Sequence, residues 1–147
     1  MRKITFNQSA SLIVCDFYSD ESEELLKIKA SGKCNKGSEG SQDINKIFFL
    51  ASAHFFLLEP SAILFDLSDF EYEFSNTLLK ILNFTEIIGR DEIEREIPLS
   101  FILSKNNEVG ISSLLGIENE EFPDNFFKDE HSAMNYLMNK LDEAELE

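Results

Sequence analysis

Residues 62–79, AILFDLSDFEYEFSNTLL, decide how this chain is to be read. The first six, Ala62 to Leu67, form an unbroken apolar run that ends at Asp66-Leu67-Ser68. A run of that length, without alternation, predicts a strand covered on both faces of a sheet. The next residues alternate: Phe70, Tyr72 and Phe74 are aromatic, and Glu71 and Glu73 are acidic. In an extended chain both carboxylates point to one side, roughly 7 Å apart, opposite three aromatic rings expected to be buried. A helix is expected to open near Ser75, with Leu78, Leu79, Ile81, Leu82 and Phe84 as its apolar positions. A buried strand, an acidic turn and a helix start form the place where an α/β domain is expected to present a switch or a partner site.

The flanking sequence extends this pattern in both directions. Upstream, residues 3–7 and 10–18 read as strands joined by a turn at Asn7-Gln8-Ser9. In the second of them, Leu12, Val14 and Asp16 share one face, and Ile13, Cys15 and Phe17 the other. Residues 19–24 are polar and read as a loop. Residues 25–30 alternate Leu26, Ile28 and Ala30 against Lys27 and Lys29, which is a half-exposed strand. Residues 31–41 hold three glycines, two lysines and several serines, and are expected to be a flexible loop. Ser41 or Asp43 is the expected cap of the next helix. Ile44, Ile47, Phe48, Ala51, Phe55 and Leu58 recur there at helical spacing, Phe49 and Phe56 widen the face, and Pro60 closes it.

Downstream, residues 98–104 read as a strand and residues 108–115 as a short helix closed by Gly116. Residues 118–125 form an acidic loop, and Phe126-Phe127 is either a short strand or a hydrophobic staple. Asp129 is the expected cap of a last helix with Ala133, Tyr136, Leu137 and Leu141 on one side. Residues 85–98 have no clear boundaries, since 87–89 and 91–96 fit a short helix or a loop. The expected fold class is therefore α/β: one domain over residues 1–141, with a mixed, largely parallel sheet. N-terminal strands come first, a helix–strand alternation with right-handed crossovers follows, and residues 142–147 make an acidic tail.

The chain of 147 residues is one domain long, and 43 % of it is hydrophobic. With 14 Phe and no Trp, phenylalanine supplies most of the aromatic core volume. The net charge is −15, and it is uneven: residues 1–40 balance, while the rest is acidic. Such a surface repels phosphate backbones and anionic membranes, so neither nucleic acid nor membrane insertion is expected. It favours encounter with a basic protein. No stretch reads as a signal peptide, and the longest apolar run, 47–58, is short for a bilayer and broken by Ser52 and His54. A reducing, cytoplasmic setting is expected.

The chemistry-bearing residues give no support for catalysis. Cys15 and Cys34 have no metal-ligand spacing; a pairing between them is not otherwise indicated. The 31–41 loop lacks the Walker spacing. His54 lies among Phe55, Phe56 and Leu57 and reads as a helix-flank or core histidine; His131 is in the first turn of the last helix. Neither stands in a nucleophile motif. Asp66, Asp69, Glu71 and Glu73 form an acidic patch without EF-hand spacing, so a solvated face is favoured over a metal site. No catalytic residue, metal or cofactor is assigned.

The element order and the segment Asp66-Leu67-Ser68 with Ser75 and Leu78 resemble the STAS domain, the family of bacterial anti-sigma-factor antagonists and sulfate transporter tails. That family's pattern is an apolar strand ending in Asp-Leu-Ser, a turn, and Asp-Ser-Ser-Gly opening a helix. Phe70 and Tyr72 fall where it has apolar residues. The departures are Phe74 for the Asp, Asn76 for the second Ser, which is the phosphoacceptor in regulated members, and Thr77 for the Gly. The resemblance implies a non-enzymatic interaction domain regulating a partner in a bacterial signalling complex, with a kinase-like regulator as one such partner. Its contact surface would be Ser68, Asp69, Ser75, Asn76 and Thr77, and its phosphorylation switch is missing or has moved. As for the bare serine, Ser75 reads most simply as a helix cap. The acidity supports a second class of reading, a small inhibitor or immunity protein that binds a basic toxin or nuclease. A homodimer is left open.

Overall fold

A computed structural model describes residues 12–22, 24–88, 96–118 and 121–145. The proposed strand at 3–7, the turn at Asn7-Gln8-Ser9 and the segment 89–95 lie outside the described residues. The strands are β1 (Val14–Ser19), β2 (Leu25–Lys33), β3 (Ala62–Asp66), β4 (Phe70–Glu71), β5 (Leu99–Ile102) and β6 (Phe126–Phe127). The helices are α1 (Gly37–Leu58), α2 (Leu79–Leu82), α3 (Phe84–Ile88), α4 (Glu108–Leu115) and α5 (Glu130–Glu145), and a 3-10 turn spans Asn76–Leu78. The sheet runs β1-β2-β3-β5-β6, and β4 pairs with the end of β2. Among the described residues the β1–β2 pair alone is antiparallel, and the other pairings are parallel. Phe126-Phe127 is thus a strand, not a staple.

The period-2 rule explains the layers. Every residue of β3 is buried. Ile63 and Phe65 face a core shared with Ile44, Ile47 and Ala51 of α1, Ile81 of α2, Phe84 of α3 and Ile111 of α4. Ala62 and Leu64 face the opposite side, where Ala133 and Leu137 of α5 cover them. The same alternation puts Ile13, Cys15 and Phe17 against the larger core and leaves Leu12 and Val14 exposed. Phenylalanine fills the middle: the Phe65 ring meets Phe84 edge-on at 5.3 Å and stacks on Phe101 at 5.7 Å. Truncating a ring so enclosed costs about 3–5 kcal/mol.

Several expectations are corrected. Residues 31–41 are not a loop: β2 continues to Lys33 because β4 pairs with it (Gly32 opposite Phe70, Lys33 opposite Glu71), and α1 starts at Gly37. Ser41 and Asp43 therefore lie inside α1 and do not cap it; Lys36 holds the cap position without a side-chain bond. Asp43 is buried, and its carboxylate instead accepts the Asn35 N–H at 2.9 Å and the Asn35 side-chain amide at 3.2 Å. Phe49 and Phe56 do not join the core face of α1; both are more than half exposed. The helix after Ser75 opens as a 3-10 turn and continues as two short helices broken at Asn83. Leu78, Ile81 and Phe84 are buried as expected, but Leu79 is exposed. The strand expected at 98–104 is confined to Leu99–Ile102, and α5 carries the acidic end in helical form as far as Glu145.

The readings of two helix ends and of His54 hold. α4 ends at Leu115 with Gly116 at φ 69°, a left-handed cap that glycine adopts without strain. Asp129 caps α5, accepting the Ser132 N–H at 2.8 Å. Both cysteines are free. Burial pushes the Cys34 thiol up to about 12 and the Cys15 thiol up to about 11. His54 stacks on Phe17, with ring centroids 3.6 Å apart, and its Nδ1 bonds the Leu50 carbonyl at 2.8 Å. Among the described residues no helix is long and apolar enough to cross a membrane.

Candidate functional site

The site is the loop that leaves β3 at the carboxyl end of the sheet and returns through β4 to the 3-10 turn. It starts with a local device. The Asp66 carboxylate, nearly buried, accepts the Ser68 N–H at 3.0 Å and the Ser68 hydroxyl at 2.6 Å through one oxygen. This is why Asp and Ser stand two apart: the side chain replaces a backbone acceptor and bends the chain out of the strand. Phe70 N–H then closes onto the Leu67 carbonyl at 3.0 Å.

A second loop, residues 103–107 after β5, ties this turn down. The Ser104 hydroxyl donates to the Ser68 carbonyl at 2.7 Å, and the Asn106 amide reaches the same carbonyl at 3.2 Å. Asn107, fully buried, donates to the carbonyls of Leu67 and Phe70 and accepts the Ser104 N–H at 3.1 Å. The Tyr72 N–H bonds the Asn106 carbonyl at 3.2 Å. Sequence reasoning missed these asparagines. The signal available was a polar Ser-Lys-Asn-Asn run directly after a buried strand.

The next residues are clamped from two sides. The Tyr72 hydroxyl donates to the Ser75 carbonyl and accepts the Ser75 N–H, each at 2.9 Å. Burial raises the tyrosine's pKa, so it stays a neutral donor. On the other side α4 presses on the turn through Gly110. A Cβ there would lie 2.6 Å from the Glu73 carbonyl oxygen and 2.8 Å from the Tyr72 ring, so only glycine fits. α1 approaches the same way: a Cβ on Gly40 would meet the Asn35 carbonyl at 2.0 Å and Ser75 Cβ at 3.4 Å. The hydroxyls of Ser41 and Thr77 share a hydrogen bond of 2.7 Å.

These contacts set the exposure of each candidate contact residue. Asp69 and Asn76 are exposed, and Ser68 and Thr77 are half-buried. Ser75 is 3 % exposed, so it lies beneath the surface and offers no side chain to a partner. It stands at the head of the 3-10 turn, not inside an element, and its side chain makes no cap bond, which corrects the capping role expected of its hydroxyl. Phe70 and Tyr72 are buried, but Phe74 is 49 % exposed; the third expected buried ring faces outward.

The acidic residues are largely paired. Lys29 reaches Asp69 at 3.1 Å, Lys36 reaches Glu73, and Lys27 lies 3.9 Å from Asp66 and also pairs with Glu130. The bond from Lys36 holds the Glu73 carboxyl below its usual range, and the bond to Asp69 raises the Lys29 pKa. Among the described residues no three His, Cys, Asp or Glu side chains gather to hold a metal. The arrangement is a rigid, mixed-charge platform with an aromatic ring standing on it.

No protein-family model and no curated protein matches the chain. Its fold is similar to that of an anti-sigma factor antagonist from Mycobacterium paratuberculosis, with a TM-score of 0.57 and 18 % identity over 88 % of this chain and 96 % of that one. The chain has a STAS-like α/β fold.

Proposed function

We propose that this chain is a non-enzymatic regulatory interaction domain that binds a protein partner through the loop between β3 and α2. The observation that carries the reading is the position of that loop. It stands at the carboxyl end of a fully buried central strand, fixed by Asn107, Tyr72 and Gly110, with Asp69 and Asn76 outermost and Ser68 and Thr77 beside them. Ser75 supports this surface from below. A fixed loop binds with little ordering cost, which suits recognition. The structural neighbour's description as an anti-sigma factor antagonist supports a regulatory protein partner, such as a kinase-like regulator or another member of a signalling complex.

The test is affinity purification of the tagged protein from its host at low salt, in parallel with Asp69→Lys and Asn76→Glu. The expected result is one regulatory protein retained by the parent chain and weakened about tenfold or more by either change. Undiminished retention by both variants moves the surface elsewhere. Retention of a basic toxin or nuclease, with an affinity that falls steeply with salt, supports the inhibitor reading instead.

A further inference from the structure

Phe74 is the one aromatic ring of this loop that the fold leaves uncovered, and its backbone is held on both sides. Before it, the Tyr72 and Glu73 carbonyls lie where a Cβ on Gly110 would come within 2.9 Å and 2.6 Å. After it, both polar groups of the Ser75 backbone are bonded to the Tyr72 hydroxyl at 2.9 Å. The ring is therefore aimed by a rigid support, not carried on a loose loop. Val109, the residue before the glycine that meets Glu73, is 69 % exposed and adds apolar surface beside this contact. Glu71 and Glu73, close to Phe74 in sequence, are exposed, as is Asp69 earlier in the loop, with Lys29 paired to Asp69 and Lys36 to Glu73. A half-exposed, preorganised aromatic in a polar rim has the anatomy of an interface hot spot. Beyond these local pairs the chain carries a net charge of −15, which favours encounter with a partner of basic surface.

Resting on the interaction reading above, we infer that Phe74 is the anchor of the interface, seating in an apolar socket on a protein partner whose rim carries lysine and arginine.

The experiment places the photoreactive residue p-benzoylphenylalanine at position 74, at 76 or, as a distant control, at the exposed Leu57, in the full chain in its host. The cross-linked peptide of the partner is sequenced. The purified partner is then titrated with the parent chain, Phe74→Ala and Phe74→Leu, after thermal melting has shown both variants folded. The expected result is a cross-link from 74 and none from 57, to a partner segment that combines apolar residues with Lys or Arg. Phe74→Ala should weaken binding about 10- to 100-fold and Phe74→Leu less. If the partner cross-links from 76 but not from 74, or binds Phe74→Ala within twofold of the parent, the anchor is wrong while the interaction reading stands. If neither 74 nor 76 cross-links to any protein, both fall.

Discussion

Replacing Asn107 tests whether the β3–β4 turn is held as described. Its amide orientation is fixed by its neighbours: Oδ1 must accept the Ser104 N–H, so Nδ2 must face the Leu67 and Phe70 carbonyls. In Asn107→Ala these three groups lose a partner. The Leu67 carbonyl keeps its bond from the Phe70 N–H. The Phe70 carbonyl has no such reserve, because the Asp69 and Glu71 carbonyls are the ones that face β2, bonding Gly32 and Cys34 at 3.1 Å and 2.8 Å, and strand alternation turns the Phe70 carbonyl away. One buried group, the Phe70 carbonyl, and one half-buried group, the Ser104 N–H, are thus stranded, at about 1–3 kcal/mol each. Water entering the emptied space holds the total toward the lower half, about 3 kcal/mol. With a urea slope of about 2 kcal/mol per molar, the midpoint should fall by about 1.5 M. Asn107→Asp should be worse at neutral pH, since it keeps the shape but sets a carboxylate against two carbonyls. The assay is urea denaturation followed by circular dichroism, with hydrogen exchange at the Ser104 and Phe70 amides as the local readout. A loss below about 0.5 kcal/mol for Asn107→Ala, within the range of ordinary surface changes, would refute the claim that this side chain holds the loop.

Gly110→Ala gains about 1 kcal/mol of helix propensity but must move the Glu73 backbone, so a net loss of roughly 1–2 kcal/mol is expected, a fall in melting temperature of about 2–8 °C; a stabilised variant would show that α4 does not press on the turn. Tyr72→Phe removes the hydroxyl from both Ser75 backbone groups and should cost about 2 kcal/mol, read by the same denaturation. The Ser132 backbone bond holds the Asp129 carboxyl below its usual range, so its charged form contributes stability above the unfolded carboxylate pKa and loses it as pH falls through the lower folded value. Asp129→Asn should then be less stable than the parent at pH 7, with the difference vanishing in acid; a difference that does not change with pH would contradict it. Cys34 and Cys15, pushed up to about 12 and about 11, should both resist a disulfide-exchange reagent at pH 8 in the folded chain and react in urea.

The parts of the fold that sequence made legible are those fixed by period alone. β3 is an apolar run closed by Asp66 and stands where expected; α1 is a long run at helical spacing that stands where expected from residue 44 onward, its first turns excepted. Gly116 and Asp129 announce helix ends through local chemistry that needs no tertiary partner. The errors fall where a distant segment decides. Residues 31–33 are a strand because β4 supplies hydrogen bonds, which no local propensity contains. Gly40 and Gly110 look like loop or helix-breaking residues until their close neighbours, Asn35 and Glu73, are known. Hydrophobicity alone places Phe49, Phe56 and Phe74 inward, a rule that holds in one direction only, since apolar surface is also common outside.

The site was half legible for the same reason. Asp66 and Ser68 bond within three residues, so their motif carries its own mechanism. What makes the loop a platform is contributed from outside it, by Asn107, Gly110, Gly40 and Ser41. Ser75 lies buried under the Tyr72 hydroxyl, and the Thr77 hydroxyl is bonded to α1. A phosphate on Ser75 would have to be seated at a buried position, and one on Thr77 would displace its bond to Ser41. Modification of Ser75 or Thr77 therefore works against the geometry, whereas the proposed contact through Phe74 does not depend on it. The consequence separates the two arrangements: Ser75→Ala should leave partner affinity within about twofold, because a buried, uncapping hydroxyl contributes little to an interface, while a switch residue in that place would change it strongly.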